Sequence, residues 1–490
     1  MSAVVVPTVG RGRIPSASAP PSAWLRERGM GASVLVAALS SALGVLLITA
    51  TGWISAILNA DPSLTGSATM AIVLGIMSGV LLGIAVYVGA IVTANTFATV
   101  VAGRTRRIAL LRLIGASARS QRREVATQGL LVGLIGAMLG LAGATALAAA
   151  LIAAGGPLLG VADVPYTLVR GELLIPAAVV AVTTWLSAWA GSRRVLSVTP
   201  LQALGGAVEQ PHAAFARRTG RNVAAVVVFV AGAALLGLGI VVGLASPFGV
   251  LIAFAGGLLS FSGLILGSTL LMPPVLSLIG RALGRSAPAR LAAENARRNP
   301  ERSSRMAMGL VIGVTLITMF AVALDSTKAV LAASAGGELP PEMTAGMDAF
   351  TAIVTAVIAV SAVIAAVGLI NLLTLGVVQR RRELGLLRAL GQSCGQVRWM
   401  VLLEATHITV AAVLTGLVLG IGYGWAGAQS LLGSLRLNPD APAHGTLVAP
   451  AMPLPVLGAM VVAAAVLTLV AAVVPTRLAT RVAPIAALAE

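Results

Sequence analysis

Long apolar runs broken by short polar segments set the pattern of this chain. Ten runs are long enough to cross a hydrocarbon core of ~30 Å as helices. They lie near 31–58, 69–100, 124–154, 173–191, 222–244, 249–278, 306–324, 349–377, 399–432 and 454–475. The second and eighth are expected to continue as straight helices beyond the membrane, and the third and ninth to include interfacial turns. The break at Ser246-Pro247-Phe248-Gly249 is tight; if it were one re-entrant hairpin, the number of spans would fall to eight. The pattern predicts an all-α polytopic membrane protein of about ten transmembrane helices.

Composition agrees, with 58% hydrophobic and only 10% charged residues and a mean hydropathy of +0.98, far from a soluble domain. Charge sets the orientation. With the N-terminus inside, the tail to Arg28, the segments 101–123, 192–221, 279–305 and 378–398 and the C-terminal tail share one side. They hold 30 of the 33 Lys and Arg residues, leaving Arg170, Lys328 and Arg436 opposite. The positive-inside rule then places the multi-pass chain in the cell (inner) membrane with both termini cytoplasmic. The net charge of +17 reads as topology plus attraction to anionic lipid. Divided among short loops, it gives no basis for binding nucleic acid. Residues 1–23, with four prolines among Ser and Ala, are expected to form a disordered cytoplasmic tail. The single cysteine, Cys394, excludes a disulfide framework.

The most informative pattern is a repeat. RTRRIALLRLIGAS begins at Arg104 and RRRELGLLRALGQS at Arg380, and a constant offset of 276 aligns them without a gap. It pairs Asn95 with Asn371, Arg104 with Arg380, Arg106 with Arg382, Arg112 with Arg388, Gly115 with Gly391 and Arg122 with Arg398. From Asn95 to Val125, 11 of 31 positions are identical. The offset extends into the flanking spans and defines two four-helix units, 24–204 and 290–490, joined by a connector with two transmembrane helices at 205–289. Two extra spans return the second unit to the orientation of the first, so the repeats are parallel, unlike the inverted repeats of many secondary transporters. The outer loops, about 59–68, 155–172, 325–348 and 433–453, are too short for a large extracellular domain.

The stretch GLINLLTLGVVQRRRELGLLRALGQSCGQVRWMVLLEA, from Gly368 to Ala405, closely resembles the signature region of FtsX-like permeases, the membrane subunits of MacB-type (type VII) ABC transporters. LAAENARRNPERSSRMAMGLVIGVTLI, from Leu291, is similar to the entry of that domain, an interfacial helix leading into its first span. The resemblance covers nearly all of the second unit and, more weakly, the first. It implies a permease in which a long second helix leaves the membrane, turns, and presents a short coupling helix to a separate ATPase. ATP-driven closure of that ATPase would be relayed to the outer face by mechanotransmission. The coupling helices would lie at about 116–124 and 392–401. ATPase-coupling residues would be Arg104, Arg106, Arg112, Gly115 and Arg122 in the first unit, and Arg380, Arg382, Glu383, Arg388, Gly391 and Arg398 in the second. Glycine suits the left-handed end of a helix, and Arg112 and Arg388 suit its last turn. Glu383, Gly385 and Glu404 are matched by Arg107, Ala109 and Gln128, so the two docking surfaces are expected to be unequal. One chain would bind two copies of a cytosolic ABC ATPase, alongside membrane lipids.

No ATPase is expected in the chain itself. Lys328, the only lysine, lacks a glycine-rich phosphate loop, so ATP and Mg are expected in the partner. Three His and one Cys make no convincing metal or catalytic cluster. Other residues admit two readings. The arginine run at 380–382 can be topogenic or contact the ATPase, and Glu383 can face a partner or pair within the chain. Asn95 and Asn371 suit interhelical hydrogen bonds or gating. Gly75, Gly79 and Gly83, and Gly416 and Gly420, form small-residue stripes for packing or a moving seam. The expected cargo is amphiphilic: a lipid, an antimicrobial peptide or a hydrophobic drug. An ion-gradient-driven secondary transporter and a non-transporting regulator of an extracellular enzyme remain the alternatives.

Overall fold

The computed structural model describes residues 30–60, 68–103, 117–158, 166–197, 219–282, 291, 294, 300–335, 381–434 and 447–481. The described residues are helical throughout apart from short connections, because a backbone in lipid must satisfy its own hydrogen bonds. In chain order the helices are α1 (Met30–Ala60), α2 (Ala68–Gly103), α3 (Ala118–Leu158), α4 (Leu174–Ser197), α5 (Thr219–Gly243), α6 (Gly249–Leu266), α7 (Ser268–Ala282), α8 (Pro300–Ala335), α9 (Arg381–Ala389), α10 (Cys394–Leu432) and α11 (Leu454–Arg481). Seven of the described helices, α1, α3, α4, α5, α6, α8 and α10, are long and apolar enough to cross a membrane. Shorter apolar helical stretches lie at Gly79–Asn95, Ser268–Gly280 and Leu454–Val470. The eighth run, 349–377, lies outside the described residues, as do the termini.

Three expectations change. The third and ninth runs contain no interfacial turn: α3 is one helix of 41 residues and α10 one of 39, each roughly 60 Å long at 1.5 Å per residue. The sixth run is two helices, because α6 stops at Gly267, whose amide closes the last turn on the Gly263 carbonyl. The α7 that follows carries Pro273 and Pro274, which remove two helical donors. The entry segment 291–305 is not a separate interfacial element throughout, since residues 300–305 are already the first turns of α8.

Lipid chains are as apolar as leucine, so helices in a membrane associate through close packing at small residues. In the first unit, a Cβ on Gly140 of α3 would fall onto the Ala38 carbonyl of α1. In the second, a Cβ on Gly416 of α10 would lie 2.6 Å from Val314 of α8. Ala38 and Val314, like Gly140 and Gly416, differ by the 276-residue offset, so the same crossing is built twice. Gly420 and Gly424 extend it along α8, against Thr318 and Met319. Gly83 of α2 is closed over by Phe254 of α6, whereas Gly75 and Gly79 meet nothing. That upper part of the α2 stripe makes no protein seam among the described residues.

Within the connector, α5 and α6 are two separate helices that form a tight antiparallel hairpin. Gly232, Gly239, Gly256 and Gly263 let the backbones of α5 and α6 touch along their length. The hairpin sits against α10, where Gly243 approaches the backbone of Ser430. Large apolar side chains such as Met138, Val227 and Val462 face outward from α3, α5 and α11, as a lipid-facing rim requires.

Gly140→Ala is expected to destabilise the protein by about 1–3 kcal/mol through overpacking. Gly143→Ala, one turn on with nothing within reach of its Cβ, should be neutral or gain up to about 1 kcal/mol of helix propensity. Thermal unfolding of the two variants in one detergent checks this.

Candidate functional site

The basic repeat is described best in the second unit, where it forms a helical corner. α9 ends in a two-bond C-terminal cap: the Gln392 amide donates to the Leu387 carbonyl (3.0 Å) and the Gly391 amide to that of Arg388 (3.1 Å). This geometry needs a left-handed residue after the helix, and Gly391 supplies it with φ +100°. Two residues later the chain starts again. The Ser393 hydroxyl accepts from the Gln396 amide (3.2 Å), and the Ser393 amide donates to the Gln396 side-chain oxygen (2.9 Å), a reciprocal capping box. The short apolar face of α9 then folds onto α10: Leu384 is buried against Val397, Met400, Val401 and Leu403, with Leu387 beside it.

The expected coupling segment 392–401 falls at this corner. Residues 394–401 are the first turns of α10 rather than a free short helix, and 118–124 likewise open α3. The described helical stretch Arg381–Ala389, α9, precedes Gly391. Arg388 lies in its last turn and Arg398 is exposed on α10; both engage partners. Arg382 and Glu383 belong to the α9 backbone, with side chains outside the description. Arg104, Arg106, Arg112, Gly115, Arg380 and Asn371 lie outside the described residues. Sequence reasoning missed the apolar part of the corner. Leu386 (50%), Leu390 (75%) and Trp399 (51%) are exposed at the corner, Trp399 directly after Arg398 in the chain. The signal was present in the sequence as a tryptophan directly after the repeated arginine.

The first unit keeps the cap and changes its surroundings. Ser117, which matches Ser393 under the offset, accepts from the Ser120 amide (3.1 Å) and opens α3. Arg122, the match of Arg398, turns inward: its guanidinium lies 4.3 Å from the centre of the Trp189 ring on α4. Its Nε and Nη2 are buried without hydrogen-bond partners. Glu124 is held between the Gln121 and Gln128 amides, each at 3.4 Å. The same arginine is therefore a surface group in one unit and an aromatic-stacked group in the other.

Asn95 ties the units together. Its amide donates to the Arg305 carbonyl of α8 (3.4 Å), joining α2 of the first unit to the first helix of the second near their basic ends. Within α10, Glu404 is 5% exposed and His407 fully buried. His407 Nδ1 donates to the Leu403 carbonyl, while its Nε2 has no partner. Among the described residues no group of three or more His, Cys, Asp or Glu side chains could hold a metal ion.

The description "FtsX-like permease C-terminal" matches this sequence twice, over residues 79–200 and 355–484. The two matches cover just over half of the chain. This chain belongs to the FtsX-like permease family. Each match takes in one basic segment and the long helix after it, so the corner lies within the family domain. The chain is also similar to a Bacillus subtilis (strain 168) protein described as "Uncharacterized ABC transporter permease YknZ", with 33% identity over 95 residues. That alignment spans 19% of this chain and 23% of the relative, so the chain covers under a quarter of the relative's length. As an FtsX-like permease, the chain is a polytopic all-α membrane protein.

Gly391→Ala should cost roughly 1 kcal/mol, the penalty of a left-handed backbone with a Cβ, and Ser393→Ala about 1 kcal/mol for the lost cap. Amide hydrogen exchange is expected to accelerate across 384–396 in both variants. Gly395→Ala, whose Cβ meets only the Ser393 hydroxyl at 3.8 Å, should leave it unchanged.

Proposed function

We propose that this chain is the membrane subunit of a MacB-type ABC transporter, with its basic side cytoplasmic and a separate ATPase docked at the α9–α10 corner. ATP hydrolysis by that partner would drive export of an amphiphilic molecule or mechanotransmission to the outer face. The observation that carries this reading is the composition of the corner. Trp399 stands exposed next to Arg398 in the chain, and Leu386 and Leu390 are exposed on the α9 side of the same corner; binding energy at protein interfaces concentrates on Trp and Arg anchors. The rigid cap at Gly391 and Ser393 passes a push on α9 into α10, a single helix of 39 residues. Two units per chain call for two ATPase subunits. The inward Arg122 makes the first docking surface the poorer one.

The buried Glu404 and His407 support a second reading, gradient-driven transport, since ionisable groups inside a membrane mark ion pathways by default. Loss of transport on dissipating the proton gradient, with ATP maintained, would favour it.

Purification of the chain with its candidate ATPase decides between them. The wild-type complex is expected to be stable and to hydrolyse ATP. Trp399→Ala should weaken docking by about 2 kcal/mol or more, Gly391→Pro should dissociate or uncouple the complex, and Glu383→Ala should lower coupled hydrolysis. Hydrolysis indifferent to the chain and to all three changes would overturn the proposal.

A further inference from the structure

The repeated arginine is placed differently in the two units, and the fourth helix of each unit holds the difference. α11 of the second unit carries no aromatic residue along its 28 residues. It offers Arg398 no ring, and Arg398 is exposed. α4 of the first unit carries Trp185 and Trp189, 40% and 38% exposed, and the Arg122 guanidinium lies over the second of these rings at 4.3 Å. The helices that bear the two arginines start alike, with Ser117 capping α3 and Ser393 capping α10. What differs at this position is the course of one long side chain.

That course leaves Arg122 poorly satisfied. Its Nε and Nη2 are buried without hydrogen-bond partners. On a planar guanidinium these two nitrogens form one edge, the fork that holds a carboxylate through two parallel bonds. The neighbouring carboxylate does not meet it, because Glu124 accepts from the Gln121 and Gln128 side-chain amides instead. Buried donors left unmade cost energy, and a cation over an indole ring returns an amount of the same order. The inward position is therefore held by a small margin.

The surroundings keep the marks of a docking surface. Arg119 and Arg123 are exposed on either side of Arg122. Arg123 stands where the second unit has Trp399, so the first surface lacks that anchor and depends the more on its arginines.

We propose that the Arg122–Trp189 stack is an autoinhibitory contact on the first unit's docking surface. A second ATPase subunit docks there only as one of its acidic side chains draws Arg122 off the ring and meets the Nε–Nη2 edge. The first ATPase subunit docks at the second unit, where no such contact has to break. This inference rests on the reading of the α9–α10 corner as an ATPase dock.

Two measurements on the full chain in nanodiscs test it. The first needs no ATPase: arginines are modified with phenylglyoxal and read one by one by mass spectrometry. Arg122 is expected to react about tenfold more slowly than Arg119 and Arg123, as a group reached only through a local opening does. Trp189→Leu should bring it to their rate, Trp189→Phe should keep most of the protection, and Trp185→Leu should change nothing. Arg122 reacting like its neighbours in the wild type, or staying slow in Trp189→Leu, would overturn the contact.

The second measurement titrates the candidate ATPase onto the chain and counts bound copies by native mass spectrometry. In the wild type the first copy should bind more tightly than the second. Trp189→Leu is expected to tighten the second copy by about threefold to tenfold and to leave the first unchanged. Adding Arg122→Gln should abolish that gain. A first copy that binds normally, with a second indifferent to Trp189→Leu or a gain that survives Arg122→Gln, overturns the autoinhibition alone. No copy bound by the wild type or by any variant overturns the docking reading, and this inference with it.

Discussion

Close backbone contact between the first and third helices of each unit is the constraint on which the rest depends. Within a bilayer no hydrophobic force draws one apolar helix to another, and contact must come from surfaces smooth enough to interlock. Gly140 against Ala38 and Gly416 against Val314 are such surfaces. Because both pairs obey one offset, the two units share a geometry that sequence identity alone shows only around the basic segment. The central position of α1 and α8 follows from these crossings, as does the outward turn of α3, α5 and α11.

On that frame, the third helix of the second unit is one continuous rod. α10 runs unbroken from the capped corner at Ser393 to its far end at Leu432, lying along α8 through Gly416, Gly420 and Gly424. A helix held by glycine contacts along one neighbour resists bending, while smooth small-residue surfaces still permit sliding. The capping box and the glycine cap fix the angle between α9 and α10 with backbone hydrogen bonds rather than with long side chains.

The two units diverge at both ends of this third helix. At the basic end, Arg398 is exposed while Arg122 stacks on Trp189. Towards the other end, the connector lies against α10 and leaves the matching face of α3 bare. Tyr87, Phe261 and Tyr423 link α2, α6 and α10 through one set of ring contacts and hydroxyl bonds, so the connector is part of the seam between units as well as a link in the chain. Duplication supplied equivalent scaffolds, and the inserted hairpin made them inequivalent.

The all-helical polytopic class, the repeat and the family were legible in the sequence, because span length, charge asymmetry and a fixed offset are one-dimensional properties. Gly391 could be read as a left-handed cap for the same reason: its conformational demand is local, and its φ of +100° satisfies it. Whether α3 and α10 were continuous was not legible, since an apolar run longer than one crossing is compatible with either a turn or a protruding helix. Nor could the sequence separate Gly75 and Gly79, which touch nothing, from Gly83, which Phe254 closes over. The stripe is the same on paper, and only the neighbour decides. The stacking of Arg122 on Trp189 and the exposure of Trp399 belong to the same class. Each depends on which distant helix lies opposite, and that is set by packing in three dimensions rather than by the order of residues along any one helix.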